Sequence, residues 1–279
     1  GAVAKHKVSE FFLPPTVIYK LLEIPGIDQV DFSSVKYLMY GAAPMSVEKL
    51  KKAIELWGPI MAGGYGQTEA PASIANLPPS HHFINGQLGT DERLSSVGRP
   101  NPLIRVEMMD DNNQILPRGE TGEICVRGDL VMKGYYKQPE KTAETIIDGW
   151  LHTGDVGNID ADGYLHITDR KKDMIISGGF NVYPSEVEQV IWGHPAVQDC
   201  AVIGVPDEKW GEAVKAVVEL NAGQTVSAEE IIALCKEKLG SVMAPKTVDF
   251  IDTLPRSPVG KVLKKDLRKQ YWEQSERKI

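Results

Sequence analysis

Four short runs in this sequence place glycine, hydroxyl, acidic and basic side chains at spacings that suit work on a nucleotide. The first is Gly63-Gly64-Tyr65-Gly66-Gln67-Thr68-Glu69. Its glycines let a backbone approach a ligand closely. The ring of Tyr65 can stack on a base, worth roughly 1–3 kcal/mol, and Thr68 with Glu69 can hold a phosphate and a hydrated Mg2+. The plainer reading of the same residues is a turn followed by a helix N-cap. The second run, Trp150-Leu151-His152-Thr153-Gly154-Asp155, sets a carboxylate after a glycine, where it can accept hydrogen bonds from two ribose hydroxyls. It suits an ordinary Gly-Asp turn between strands equally well.

The third run, Asp169-Arg170-Lys171-Lys172-Asp173-Met174-Ile175-Ile176-Ser177-Gly178-Gly179-Phe180, joins a charged link to a double-glycine loop. Charged links are usually just solvated, whereas paired glycines permit a backbone that swings or lines a narrow channel. The fourth, Leu254-Pro255-Arg256-Ser257-Pro258-Val259-Gly260-Lys261, carries one lysine on a Pro/Gly-shaped loop and could deliver a single cation to a fixed point. A lone surface lysine commonly does nothing of the kind.

The elements that must hold these runs fall into three textures. Residues 11–77 read as α/β, with a helix over Thr16–Leu22, a strand over Val35–Tyr40, a helix over Ser46–Trp57 capped by Ser46, and a short strand at Ile60–Ala62. Residues 94–169 read as short strands and turns, the texture of a barrel or sandwich, with strands at Ile104–Met109, Gly122–Arg127 and Tyr164–Asp169 and a hairpin signal at Asp162-Gly163. From Arg170 the pattern is α+β. It predicts helices at Pro184–Trp192, Ser227–Leu239 and Lys264–Gln274, strands at Val197–Val205, Ala213–Leu220 and Val248–Ile251, and a Ser227/Glu230 capping box. The charged run at 170–173 is the natural boundary.

Composition excludes more than it identifies. The net charge of −7 argues against nucleic-acid binding, which needs a basic face. No apolar run is long enough to span a membrane. Cys125, Cys200 and Cys235 are odd in number, far apart and set in apolar runs, which fits reduced core thiols in a cytoplasmic protein. The histidines show no ligand spacing, and His81-His82, in a proline-rich loop, is expected to be exposed. Gly1–Lys7 has no initiator methionine and runs at once into an apolar segment, as expected of a piece of a longer chain.

Taken in order, the four runs resemble the adenylate-forming superfamily of acyl- and aryl-CoA synthetases, firefly luciferase and peptide-synthetase adenylation domains. Tyr40-Gly41-Ala42-Ala43-Pro44, Gly122-Glu123-Ile124-Cys125-Val126-Arg127-Gly128 and Gly134-Tyr135-Tyr136 match as well, so the resemblance runs from Phe11 to about Arg268. It implies an α/β fold: part of a large adenylate-forming domain, comprising the end of an α/β subdomain (1–93) and a distorted β-barrel (94–169), then a small α+β lid (170–279). By similarity, Ala42 and Ala43 line the adenine and acyl side of the pocket and Tyr65 is the adenine-stacking aromatic. Thr68 meets the α-phosphate, Glu69 is the Mg2+-associated acid, and Asp155 with Arg170 holds the ribose hydroxyls. Lys172 stands at the hinge, Ser177, Gly178, Gly179 and Phe180 form the loop that enters for the thiol step, and Lys261 is the adenylation lysine.

The resemblance is nearest to the CoA ligases on the stretch from Arg170 to Pro184, because peptide-synthetase domains usually carry Asp where Lys172 stands. It implies ATP, Mg2+ and coenzyme A as cofactors and co-substrates and a carboxylic acid as substrate, read as a fatty acid with an aromatic acid as the alternative. The family's Gly/Ser/Thr-rich phosphate loop ending in lysine, which lies upstream of the Tyr-Gly-x-Thr-Glu motif, is not found here. The chain is therefore expected to be the second half of such an enzyme, without independent competence, its other half lying upstream or on a separate chain. A non-catalytic nucleotide-binding module and a peptide-synthetase-type domain are the competing readings.

Overall fold

The computed structural model of the chain describes residues 2–257 and 260–272. Pro258 and Val259 of the fourth run, and the expected continuation of the last helix past Trp272, lie outside the described residues. The chain divides into two compact units, Gly1–Thr168 and Asp169–Ile279.

The first unit opens with a sheet in which β1 (Glu10–Leu13), β2 (Tyr37–Tyr40) and β3 (Met61–Gln67) run parallel. Next to β3 lies the antiparallel β4 (Ala70–Leu77), and β5 (Arg99–Pro100) pairs antiparallel to β4 in turn. Two helices, α1 (Pro15–Leu22) and α2 (Val47–Trp57), supply the apolar cover. In α2, Val47, Leu50, Ala53, Ile54 and Trp57 recur at helical spacing and are buried. Ser46 caps this helix, its hydroxyl accepting from the Lys49 amide at 3.4 Å, as the sequence predicts. The Ser46 amide in turn donates to the Tyr19 hydroxyl at 2.7 Å, which ties α2 to α1. Leu38 and Tyr40 of β2 point into the same core, while Tyr37 and Met39 alternate outward.

The second sheet of this unit consists of β6 (Arg105–Met109), β7 (Gly122–Arg127), β8 (Ile146–Ile147), β9 (Trp150–Ile159) and β10 (Leu165–Arg170). Its order is β8-β9-β7-β6, with β10 paired to β9. Tyr65, Ile74, Val106, Ile124, Leu151 and Leu165 share one core, so the glycine-rich strand β3 packs on the same apolar cluster as this sheet. The ten-residue β9 is a correction to the turn reading of Gly154-Asp155. Glycine and aspartate interrupt the apolar alternation, and the strand survives because it carries a bulge, a register shift between His152 and Val156 opposite β7. Likewise the first run is no helix start: β3 turns at Thr68-Glu69 directly into β4.

The second unit is built on β11 (Ile175–Ser177), β12 (Phe180–Val182), β13 (Val197–Asp207), β14 (Gly211–Leu220) and β15 (Thr247–Phe250). The strand order is β12-β11-β14-β13, with β15 parallel to β14. Cys200, Val202, Val214, Ala216 and Val218 face one core, which includes residues of α3 (Pro184–Trp192) and α4 (Ala228–Met243). Ala201, Ile203, Val205, Ala213 and Val217 face another, with Leu254 and Leu267 of α5 (Lys264–Trp272). A sheet covered on both faces explains why these strands read as continuous apolar runs. The capping box at Ser227/Glu230 forms as the sequence predicts. The helix it starts runs past the expected Leu239 because Gly240, at φ 81°, makes a kink after which a last turn follows. All three cysteines are buried and unbridged. Among the described residues no helix is long and apolar enough to cross a membrane.

Candidate functional site

In the first unit the candidate residues gather where the parallel strands end. The carboxyl end of β2 lies beside the glycines of β3, with Tyr40 in register with Gly63. In open α/β sheets this edge is where ligands bind. Gly41 follows β2 and cannot be larger, since a Cβ there would lie 2.6 Å from the Gly64 carbonyl oxygen. Ala42 comes next in a left-handed conformation, φ 66°, and is exposed, with Ala43 half-buried beside it in sequence.

Tyr65 turns from this edge toward the second sheet. Its hydroxyl donates to Asp155 Oδ2 at 2.6 Å, and both side chains are buried. Asp155 sits on the bulge of β9, and the bulge is held from β7. The Gly154 amide donates to Glu123 Oε1 at 3.1 Å, and Glu123 Oε2 lies 3.2 Å from His152 Nδ1. Thr153 Oγ1 donates to the Ile124 carbonyl at 2.7 Å and accepts from the Asp155 amide at 3.1 Å. Glycine, threonine and aspartate thus form one aimed bend, and the carboxylate faces the tyrosine through backbone the neighbouring strand has fixed.

Thr68 is exposed at the turn, and Glu69 is half-buried. The Tyr135 hydroxyl donates to Glu69 Oε1 at 2.6 Å, while the Met132 amide donates to the Glu69 carbonyl at 2.8 Å. The hydrogen bond to the carboxylate, with some burial, raises the Tyr135 pKa above its ordinary value, so the phenol stays protonated. Among the described residues Gln67 Nε2 is buried without a hydrogen-bond partner, an amide donor left over at the same turn. A close-approach backbone edge, an orphaned donor and two buttressed carboxylates fit a nucleotide and its magnesium ion. Reading the sequence gave no role to Gln67, Glu123 or Tyr135, although each lay within a quoted motif. The side-chain partners of Glu123 and Tyr135 are remote in sequence, and only the motif membership marked the three residues.

His81-His82 is a correction. His82 is almost fully buried, its Nδ1 3.2 Å from the Pro78 carbonyl and its Nε2 3.0 Å from the Tyr40 hydroxyl. Burial lowers its pKa to about 4.

The second unit holds the remaining candidates. Arg170 ends β10, its amide donating to the Asp169 carboxylate at 2.6 Å, and Asp169 also accepts from the Ser185 amide at 2.9 Å in the first turn of α3. Lys172 is exposed in a 3-10 turn, Lys171–Asp173. Arg268 of α5 braces that turn by pairing with Asp173 and donating to the Lys172 carbonyl at 3.4 Å. The double-glycine run is a tight hairpin. Ser177 pairs with Phe180, and Gly178 and Gly179 take φ 59° and 84°, the left-handed pair of a two-residue turn. Ser177 is buried, and Phe180 stands 60% exposed at the turn's far side. Lys261 is exposed on a turn closed by Ser257, whose amide donates to the Lys261 carbonyl at 2.8 Å.

Two family models match the chain: AMP-binding enzyme over residues 1–136 and AMP-binding enzyme C-terminal domain over 186–261. The medium/long-chain-fatty-acid–CoA ligase FadD8 of Mycobacterium tuberculosis is 43% identical over 99% of this chain and 48% of its own length. The fatty acid–[acyl-carrier-protein] ligase ScoC of Streptomyces coeruleorubidus is 39% identical over 95% of this chain and 50% of its own. Among solved structures, amide bond synthetase McbA from Marinactinospora thermotolerans superposes with a TM-score of 0.91 at 40% identity, covering 97% of this chain and 54% of that one. The chain therefore spans about half the length of the relatives it matches. With both models in order, and these relatives matching over nearly the whole of this chain, the chain belongs to the AMP-binding, adenylate-forming enzyme family.

Proposed function

We propose that this chain is the C-terminal part of an ATP-dependent carboxylic acid:CoA ligase that works in two steps through an acyl-AMP. The observation that carries the reading furthest is the buried Tyr65–Asp155 bond, because it fixes a carboxylate acceptor against the glycine-rich edge. In this reading Asp155 and Arg170 accept from and donate to the ribose hydroxyls, Tyr65 lies against adenine, and Ala42 and Ala43 line the adenine and acyl side. Thr68 meets the α-phosphate. Glu69, held by Tyr135, is the ligand for magnesium, which takes one or two carboxylates beside substrate phosphates. A bound magnesium ion supplies positive charge against those phosphates.

In the first step an oxygen of the acid attacks the α-phosphorus, the bond to pyrophosphate breaks, and pyrophosphate leaves. The Lys261 ammonium offsets the charge that builds on the phosphoryl oxygens, a contribution of roughly 3–4 kcal/mol for one preorganised contact. In the second step the CoA sulfur attacks the acyl carbon, the carbon–oxygen bond to AMP breaks, and the thiol proton passes to solvent. That step has no call on Lys261. The portion 170–279 acts as a lid turning at Lys172, exchanging Lys261 for the Ser177–Phe180 hairpin between steps, on a body made of 1–93 and 94–169. The acid is read as a fatty acid, the location as cytoplasmic, and the missing partner as the N-terminal half of the same enzyme.

A second reading keeps the adenylation and changes the acceptor. It is favoured by the likeness to proteins named as an acyl-carrier-protein ligase and an amide bond synthetase. The test is made in a protein of the relatives' full length carrying this sequence, given fatty or aromatic acids and ATP. Consumption of CoA, rather than loading of a carrier protein or an amine, supports the first reading. Lys261→Ala is expected to abolish acid-dependent ATP–pyrophosphate exchange and to leave CoA transfer from supplied acyl-AMP. Equal loss of both would reject the role given to Lys261. Calorimetry on the present chain with AMP separates both from a bare nucleotide-binding module, which would bind while the full-length protein forms no AMP.

A further inference from the structure

We infer that Arg256 is a positioning residue for Lys261: it clamps the lysine's turn to the sheet of the second unit and so sets where the ammonium points. The inference rests on the reading of Lys261 as the adenylation lysine. The Arg256 guanidinium is gripped from the sheet side by two carboxylates, Asp199 Oδ2 at 2.7 Å and Glu219 Oε2 at 3.3 Å. Both acids are themselves fixed. Asp199, with a side chain only 5% exposed, accepts from Trp192 Nε1 and from the Cys200 amide, each at 2.8 Å, and Glu219 accepts from the Leu254 amide at 3.0 Å.

From this anchored position the other terminal nitrogen, Nη1, reaches the Gly260 carbonyl at 3.4 Å, one residue before Lys261. The backbone around it forms a short paired stem. Leu263 donates to the Pro255 carbonyl at 2.8 Å, Arg256 pairs with Val262, and Ser257 donates to the Lys261 carbonyl at 2.8 Å. The Lys261 amide closes the turn on Ser257 Oγ at 3.2 Å. The stem holds Ser257 to Lys261, and the guanidinium fixes the stem's place on β13 and β14. The guanidinium meets the carboxylates through Nη2 and the carbonyl through Nη1, a span that the single nitrogen of a lysine does not have, so lysine keeps the charge and loses the clamp. A misplacement of about 1 Å in a charge-stabilising group can cost on the order of 100-fold in rate.

The same full-length protein provides the test, with Arg256→Lys, Arg256→Gln and Lys261→Ala compared to the parent. Three quantities are read: pyrophosphate exchange, CoA transfer from supplied acyl-AMP, and the melting temperature. Arg256→Lys is expected to lower kcat for exchange about 100-fold, with KM for ATP little changed and CoA transfer within about 3-fold of the parent. Hydrogen exchange at the Lys261 amide should quicken in the same variant. A role in stability alone would lower both half-reactions together, and that result overturns the inference, as does parent-like pyrophosphate exchange in Arg256→Lys. Lys261→Ala separates the two levels. If it retains exchange, the reading of Lys261 falls and takes this inference with it. If it loses exchange while Arg256→Lys keeps it, the inference alone falls.

Discussion

The Tyr65 hydroxyl and the Asp155 carboxylate, 90 residues apart in sequence, meet at 2.6 Å inside the first unit. One bond thereby joins the glycine-rich strand β3 to the bulge of β9. Asp155 is only 4% exposed, so this donor is one of the groups that stand in for water at its carboxylate. Tyr65→Phe removes the donor and leaves the ring. The loss should be about 1–3 kcal/mol, the usual cost of leaving a buried acceptor short of a partner. Urea denaturation of the present chain measures it, and calorimetry should show weaker AMP binding in the same variant. Unchanged stability and unchanged AMP affinity together would mean that the bond does not hold Asp155 in place.

The buried imidazole of His82 makes stability depend on pH. Its Nδ1–H donates to the Pro78 carbonyl and its Nε2 accepts from Tyr40, so the neutral ring is the form the fold selects. Burial holds the pKa at about 4, below the ordinary 6.5. Between these values the unfolded chain binds the proton and the native state does not. Stability from this group is therefore complete above pH 6.5 and is lost as pH falls toward 4. The drop should be roughly 3 kcal/mol across that window. His82→Gln, which retains a donor and an acceptor, should flatten the curve between those limits. A parent-like slope in the variant would assign the pH dependence to other groups.

How much of this could be read from the residues follows the range of each interaction. The Ser46 cap and the Ser227/Glu230 box close within three residues, and both form as the sequence predicts. The Gly178-Gly179 pair marks its turn for the same reason. Gly154-Asp155 read as a turn because the carboxylate that satisfies the Gly154 amide, Glu123, comes from another strand 31 residues away. His82 read as exposed because the hydroxyl that accompanies its burial, on Tyr40, lies 42 residues upstream. The Glu69–Tyr135 bond spans 66 residues and leaves no periodic trace. Resemblance to a family named the residues to watch. Which of them touch was a matter of strand pairing, and local pattern does not fix that.

The hairpin at Gly178-Gly179 offers a sharper contrast, because both glycines have left-handed φ and only one is crowded. A Cβ on Gly178 would lie 2.6 Å from Trp210 Cε3, whereas a Cβ on Gly179 meets nothing within 4 Å. The Gly178 amide also donates to the Trp210 carbonyl at 2.8 Å, so the turn cannot drift away from the indole without losing that bond. Gly179→Ala should therefore cost only the backbone strain, about 1 kcal/mol. Gly178→Ala should cost more, about 2–3 kcal/mol, the excess arising from the rigid ring. Truncating the ring locates that excess. In a double-mutant cycle with Trp210→Ala, the penalty at position 178 should fall to that at 179. Equal penalties at the two glycines in the parent background would show that the indole moves aside, and that Trp210 does not hold the turn in register.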